Sequence, residues 1–168
     1  IASIYIEFLR GTPMLVQVFL VFFGTTAVLG LDVSALVCGT IALVINSSAY
    51  IAEIFRAGIN AVDKGQTEAA QCLGLNYSKT MRYIILPQAI RVSIPALGNT
   101  FLGLIKDTSL LGFILVAEMF RKAQEVASTT YEYFTIYILV AVMYWVVCFI
   151  ISVIQGFYES YIERGYKA

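Results

Sequence analysis

The chain has 168 residues, is 60% hydrophobic, balances 11 Lys and Arg against 11 Asp and Glu, and contains no histidine. Zero net charge leaves no basic field to attract nucleic acid, and without histidine the commonest metal ligand is absent. The apolar share exceeds the roughly 45–50% of soluble domains, and with a mean hydropathy of +0.82 it predicts an all-α membrane protein.

A transmembrane helix needs about 20 mostly apolar residues, and four stretches qualify, roughly 13–30, 33–54, 94–117 and 133–157. They predict a small multi-pass bundle forming one domain over 1–168, with no repeat and no low-complexity stretch. Ile1 begins inside an amphipathic segment with no initiator Met, so the domain is expected to be N-terminally truncated, with a further span upstream. The spans are too long for a cleavable signal peptide and lack its flanks. Cys38, Cys72 and Cys148 are odd in number and widely separated, and two lie in apolar runs where a free thiol behaves as a small hydrophobe. Neither a disulfide nor a metal site is expected.

The first span ends at Gly30-Leu31-Asp32-Val33-Ser34, with Gly as a stop and Asp32 or Ser34 as the next N-cap. In the second, Gly39, Ala42, Asn46, Ala49, Glu53 and Arg56 recur at steps of three and four and so share one helical face. Small residues let membrane helices approach closely, and ionisable or amide groups in a span turn to the bundle or to a water-filled cavity. Glu53 and Arg56, at i and i+3, either pair with each other or serve a pathway. Asn46, Ser47 and Ser48 either face a substrate or bond a neighbouring helix. Their match to a glycosylation acceptor is empty, because that motif requires an exposed loop.

Asp63 to Arg91 is the one long polar interruption. Asp63 with Gln66 three residues on reads as an N-cap and its box partner. Lys64 to Leu73 predicts a helix of two to three turns with an apolar face of Ala69, Ala70 and Leu73, stopped by Gly74. Asn76 or Ser78 starts a second helix running to Leu86-Pro87, where Pro87 turns the chain back to the membrane. On the third span Pro95, Asn99 and Lys106 share a stripe, and Lys106-Asp107-Thr108-Ser109 interrupts the apolar run. Adjacent residues point about 100° apart, so Lys106 and Asp107 are poorly placed to pair, and a local helix break is predicted there.

The interruption carries Lys64, Lys79, Arg82 and Arg91, and Arg10, Arg164 and Lys167 fall on the same side, whereas the segment before the last span carries Arg121 and Lys122 among acids. Lys and Arg accumulate in cytoplasmic loops, so 63–91 is expected inside. Tyr131, Tyr133 and Tyr137 outside and Phe157, Tyr158 and Tyr161 inside would form interfacial belts.

Gly65-Gln66-Thr67-Glu68-Ala69-Ala70-Gln71-Cys72-Leu73-Gly74, followed by Ile85-Leu86-Pro87-Gln88-Ala89, resembles the EAA loop of ABC importer permeases. Phe8-Leu9-Arg10-Gly11-Thr12-Pro13 through Gln17 resembles the RGTP segment of the polar amino acid uptake subfamily. Asn46 to Ile59, Gly98-Asn99-Thr100 and Lys106 to Leu110 resemble its further signatures, so that nearly the whole chain is covered. Thr67 stands where an aromatic is common.

The resemblance implies a type I ABC importer transmembrane domain with about four spans in this chain and a cytoplasmic coupling helix. It implies that Gly65, Gln66, Glu68, Ala69, Ala70, Leu73 and Gly74 address a cytoplasmic ABC ATPase subunit, with Glu68 supporting the helix start and Ala69 and Ala70 the packed surface. Implied partners are a second permease subunit, identical or not, an extracytoplasmic substrate-binding protein meeting the loop from Glu118 to Tyr131, and membrane lipid. ATP and Mg would be bound by the ATPase partner; this chain has no GxxxxGK[ST] phosphate cradle, and no cofactor or catalytic residue of its own is expected. The substrate would be a polar L-amino acid crossing a prokaryotic cell membrane. Asp107 hints at a basic one, a hint that Lys106 weakens. Its pathway is assigned to Asn46, Ser47, Ser48, Glu53, Asn99, Lys106, Asp107, Thr108, Ser109, Arg10, Thr12 and Gln17. An ion-coupled secondary carrier or channel, using Glu53, Lys106 and Asp107 as an ion path, is the alternative.

Overall fold

A computed structural model describes residues 1–167, with the side chains of 161 and 163–167 outside the described set. Tyr161, Arg164 and Lys167, used above for the inner belt and the charge bias, therefore lie outside the described side chains. The elements run α1 (Ala2–Gly11), α2 (Met14–Ala27), α3 (Ala35–Asn60), α4 (Lys64–Cys72) and α5 (Tyr77–Thr80), then a π-helical turn (Met81–Ile85), α6 (Leu86–Asp107), a 3-10 stretch (Thr108–Ile114), α7 (Met119–Thr130) and α8 (Tyr133–Lys167). No strand occurs among the described residues.

Two helices, α3 and α8, are long and apolar enough to cross a membrane singly, and two bent pairs bring the number to as many as four. The expected first span is corrected. Its helix covers only Met14–Ala27, about 21 Å at 1.5 Å per residue, against a hydrocarbon core of about 30 Å. Pro13, with φ −62° and ψ 135°, separates it from α1, and the two helices meet at 108°. Because proline disfavours helical backbone at the residue before it, Thr12 is extended at φ −115° and ψ 145°.

The third span is also shifted. Pro87 does not end a helix: Asn76 caps α5 by accepting from the Lys79 N–H, and helix then continues unbroken from Tyr77 to Ile114. In the π turn the Leu86 N–H reaches back to the Met81 carbonyl, a wider step just before the proline that lets the helix pass through it. At Lys106 to Ser109, where a break was expected, the helix is not interrupted but tightens from α to 3-10 geometry at Thr108.

α3 is the hub, packing most extensively on α6 and also on α1 and α2. Small residues make this close approach possible. Gly58 faces the Ser93 hydroxyl and the Ala89 carbonyl of α6, and Gly39 faces Leu111, so that a Cβ at either would collide. Val18, Ala42, Leu111 and Ile114 form one buried cluster, and Ile6, Leu9 and Ala49 form another under α1. α8 holds to α6 through Gln155, which donates to the Pro95 carbonyl at 3.4 Å and lies against Gly98.

Candidate functional site

The bend between α1 and α2 leaves backbone carbonyls without helical partners, and buried amides meet them. Gln17 donates to the Leu9 carbonyl at 2.8 Å and to the Thr12 hydroxyl at 2.8 Å. Asn46 in turn donates to the Gln17 side-chain carbonyl at 2.9 Å. Both amides are buried and their bonds point into the protein, so Gln17 acts on the bend and not on a passing solute. Sequence reasoning had left Asn46 open between substrate and helix contact; its amide nitrogen is committed to the helix contact. Ser48 turns away towards α1, 2.7 Å from the Tyr5 hydroxyl.

Beside this network lies a cavity of about 300 Å³ between α3, α6 and the bend, lined by Thr12, Met14, Asn46, Ser47, Tyr50, Thr100, Gly103, Leu104 and Asp107. Four of the pathway residues therefore come together: Thr12, Asn46, Ser47 and Asp107. The Asp107 carboxylate enters no hydrogen bond or ion pair among the described residues, its nearest charge being the adjacent Lys106. A half-buried carboxylate on a wall with no other charged side chain is suited to an ammonium or guanidinium group.

A second cavity, of about 470 Å³, continues towards the α4 end and is lined by Arg10, Tyr50, Glu53, Ile54, Ala57, Gly58, Ala61, Val92, Ser93 and Ala96. Tyr50 is common to both. The expected Glu53 and Arg56 pair is present at 3.0 Å, but Arg10 also approaches Glu53, at 3.6 Å. Its guanidinium lies 5.7 Å from the Tyr50 ring centroid.

Asn99 and Lys106 are exposed on α6 beside the cavity stripe and line neither of the two cavities, which corrects their assignment. Thr108 and Ser109 donate back to the carbonyls of Ile105 and Lys106, local bonds that accompany the tightening to 3-10 geometry. Sequence reasoning missed Tyr50, Thr100, Gly103 and Leu104. Their signal was spacing: Tyr50 follows Asn46 by four, and 100, 103, 104 and 107 form one helical stripe.

The 63–91 segment holds α4 in a fixed pose. Asp63 caps it by accepting from the Gly65 N–H at 2.7 Å. Gln66 does not complete a capping box; its side-chain carbonyl accepts from Gln88 at 3.4 Å. At the other end Gly74 takes φ +74°, and the Gly74 and Leu75 N–H groups bond the Gln71 and Ala70 carbonyls, a Schellman closure. Ala70 is buried against the chain itself, whereas Leu73 is 79% exposed and Glu68 and Ala69 are exposed beside it. The packed surface offered outward is thus Ala69 and Leu73, not Ala69 and Ala70, and Asp63, not Glu68, supports the helix start.

At the opposite end the segment from Glu118 to Tyr131 is a helix rather than a loop. Glu118 accepts from the N–H groups of Phe120 and Arg121, and Arg121 and Lys122 pair with Glu125 at 3.3 and 2.8 Å. Phe120 stacks on Tyr137 at 5.9 Å.

Residues 1–164 match the family described as binding-protein-dependent transport system inner membrane component. The chain is 46% identical over 159 residues to a probable amino-acid ABC transporter permease protein, YckA, of Bacillus subtilis, covering 95% of this chain and 70% of that protein. It is also 46% identical to the L-cystine transport system permease protein TcyB of the same organism, covering 96% of this chain and 69% of that one. A crystal structure described as an amino acid ABC transporter with histidines superposes with a TM-score of 0.88 at 46% identity, covering 94% of this chain and 73% of that chain.

Proposed function

The chain belongs to the family of binding-protein-dependent transport system inner membrane components, and on that premise we propose that it is the membrane-spanning permease subunit of an ATP-driven importer carrying a polar L-amino acid inward by alternating access. Relatives named as amino-acid permeases support the substrate class.

One observation carries the coupling role: α4 is capped at both ends and packed through Ala70, so it is rigid, and it presents Ala69 and an exposed Leu73 where a partner's cleft can receive them. A short helix of 9 residues is too short to be stable alone, and its attachment to α5 and the π turn joins its motion to α6. A cytoplasmic ATPase that binds and hydrolyses ATP with Mg would, on closing, displace α4. The rigid run from Tyr77 to Ile114 then carries that displacement to Thr100, Gly103 and Asp107 in the first cavity, which would open to one side and then to the other.

In that cavity Asp107 attracts the substrate's cationic group, while Thr12 and Ser47 hydroxyls take up its polar atoms. α7 is the docking element for a substrate-binding protein, with the paired Arg121, Lys122 and Glu125 on its exposed face. The test is reconstitution of the permease with its ATPase and binding protein in lipid vesicles. ATP-dependent accumulation of an L-amino acid is expected; accumulation that needs an ion gradient and no ATP would instead establish a secondary carrier.

A further inference from the structure

The first cavity, where substrate enters on the importer reading, is lined by a single charged residue, Asp107, whereas the cavity at the α4 end carries charges of both signs. Glu53 lies between two guanidinium groups: Oε1 meets Arg56 at 3.0 Å and Oε2 meets Arg10 at 3.6 Å. The Arg56 contact is a one-turn pair on α3. The Arg10 contact is longer, and it joins α3 to the last turn of α1. Arg10 also faces the ring of Tyr50, the residue that walls both cavities. Around the pair the lining is small or apolar, Ile54, Ala57, Gly58, Ala61, Val92 and Ala96, with the Ser93 hydroxyl already bonded to the Ala89 carbonyl. At about 470 Å³ the space lies within the roughly 300–1,000 Å³ of small-molecule pockets.

Every α-amino acid carries one carboxylate and one ammonium a single carbon apart. A loose, part-exposed ion pair in a pocket presents the complementary two charges, and exchanging one ion pair for two new ones leaves no charge unpaired. We propose that this cavity is a second, transient binding station for the main-chain zwitterion of the transported amino acid, in which Arg10 takes the carboxylate, Glu53 Oε2 takes the ammonium, and Tyr50 separates the station from the entry cavity. The inference rests on the importer reading above. Arg56 is a positioning residue: by keeping Oε1 it holds Glu53 in place while Oε2 changes partner. Withdrawing Arg10 from Tyr50 frees the ring to move, so arrival of a substrate at the station coincides with release of the shutter behind it. Recognition of the zwitterion alone would serve amino acids of different side chain, leaving side-chain chemistry to Asp107 and to the binding protein.

A station open to the inside is filled by product. The intact importer is therefore reconstituted with its ATPase and binding protein, and ATP-driven uptake is compared in empty vesicles and in vesicles preloaded at millimolar concentration. The preloads are L-histidine or L-cystine, whichever is transported, and the corresponding decarboxylated amine, histamine or cystamine. Preloaded amino acid is expected to slow wild-type uptake several-fold and the amine is not. Arg10→Gln and Glu53→Gln are expected to abolish the slowing, read as the ratio of loaded to empty vesicles so that a lower overall rate does not matter. Binding-protein-stimulated ATP hydrolysis reports that each variant is assembled; should Glu53→Gln not assemble, Arg10→Gln alone decides. Equal slowing in variants and wild type, slowing by the amine, or none in wild type overturns the station. Absence of ATP-driven uptake into empty wild-type vesicles would instead sink the importer reading itself.

Discussion

Single side chains in this bundle divide into those that hold the backbone's irregularities and those left free to meet a solute. Gln17 is of the first kind. Its amide serves the carbonyl left by the α1–α2 bend and also receives Asn46, so Gln17→Leu removes both bonds and leaves the Leu9 carbonyl and the Asn46 amide only their longer mutual contact of 3.4 Å. An unmade buried hydrogen bond costs about 1–3 kcal/mol. The variant should lower the thermal unfolding midpoint of the purified complex, while Ser48→Ala, at an exposed position, should leave it nearly unchanged. Asp107 is of the second kind, a cavity carboxylate with no hydrogen-bond or ion-pair partner among the described residues. Asp107→Asn replaces a charge-assisted hydrogen bond of about 1.5–3 kcal/mol with a neutral one. Uptake of a cationic amino acid should fall about tenfold or more, with a smaller effect on a neutral one; equal loss for both would remove Asp107 from side-chain recognition.

At the scale of elements, α4 shows how a helix can be fully legible in sequence and still be misread in rotation. Its caps follow from chemistry along the chain, Asp63 at the start and Gly74 in the left-handed region at the end. Which alanine faces out depends on what α4 packs against, and α5 with the π turn covers Ala70. Ala70→Trp therefore forces a large ring into the α4 attachment and should reduce the yield of folded permease. Leu73→Asp, on the exposed face, should leave folding intact and uncouple: the ATPase still co-purifies weakly or is lost, and ATP-driven uptake disappears. Normal uptake by Leu73→Asp would exclude that face from the ATPase contact.

The same limit explains α6. Residues 99 and 106, and residues 100 and 107, satisfy helical spacing equally well, and a shift of one residue rotates the stripe by about 100°. Polarity singled out 99, 106 and 107 alike and passed over 100, while packing against α3 placed 100 and 107 on the cavity. The irregularity at Thr108 was readable because a polar run marks it, although the helix tightens there instead of breaking; the bend at Pro13 reads in sequence as the start of a span. The π turn before Pro87 was not readable, because only the continuity of α5 into α6 reveals it.

For the whole molecule, the face of α6 that the cavity does not use poses the remaining physical problem. Asn99 and Lys106 lie exposed there, one turn pair apart, within a run otherwise apolar. An amide or ammonium in a span normally faces protein or water, because lipid gives it no partner. The exposed apolar length of α8, with Trp145, Phe149 and Ile150 outward, is suited to lipid; the Asn99 and Lys106 face is not. We propose that a second permease subunit packs along this face of α6, so that two cavities would lie on either side of a shared polar seam. A cysteine pair can bridge only when the Cα atoms come within about 7 Å, and bifunctional thiol reagents extend that reach. In a background with Cys72 replaced by Ser, Asn99→Cys should therefore give a covalently linked permease pair in native membranes, and a cysteine at Phe149 on the lipid-suited face should not. Linking at Phe149 with none at Asn99, in a complex that still hydrolyses ATP, would place the seam on α8 and leave the polar face of α6 to line a water-filled path.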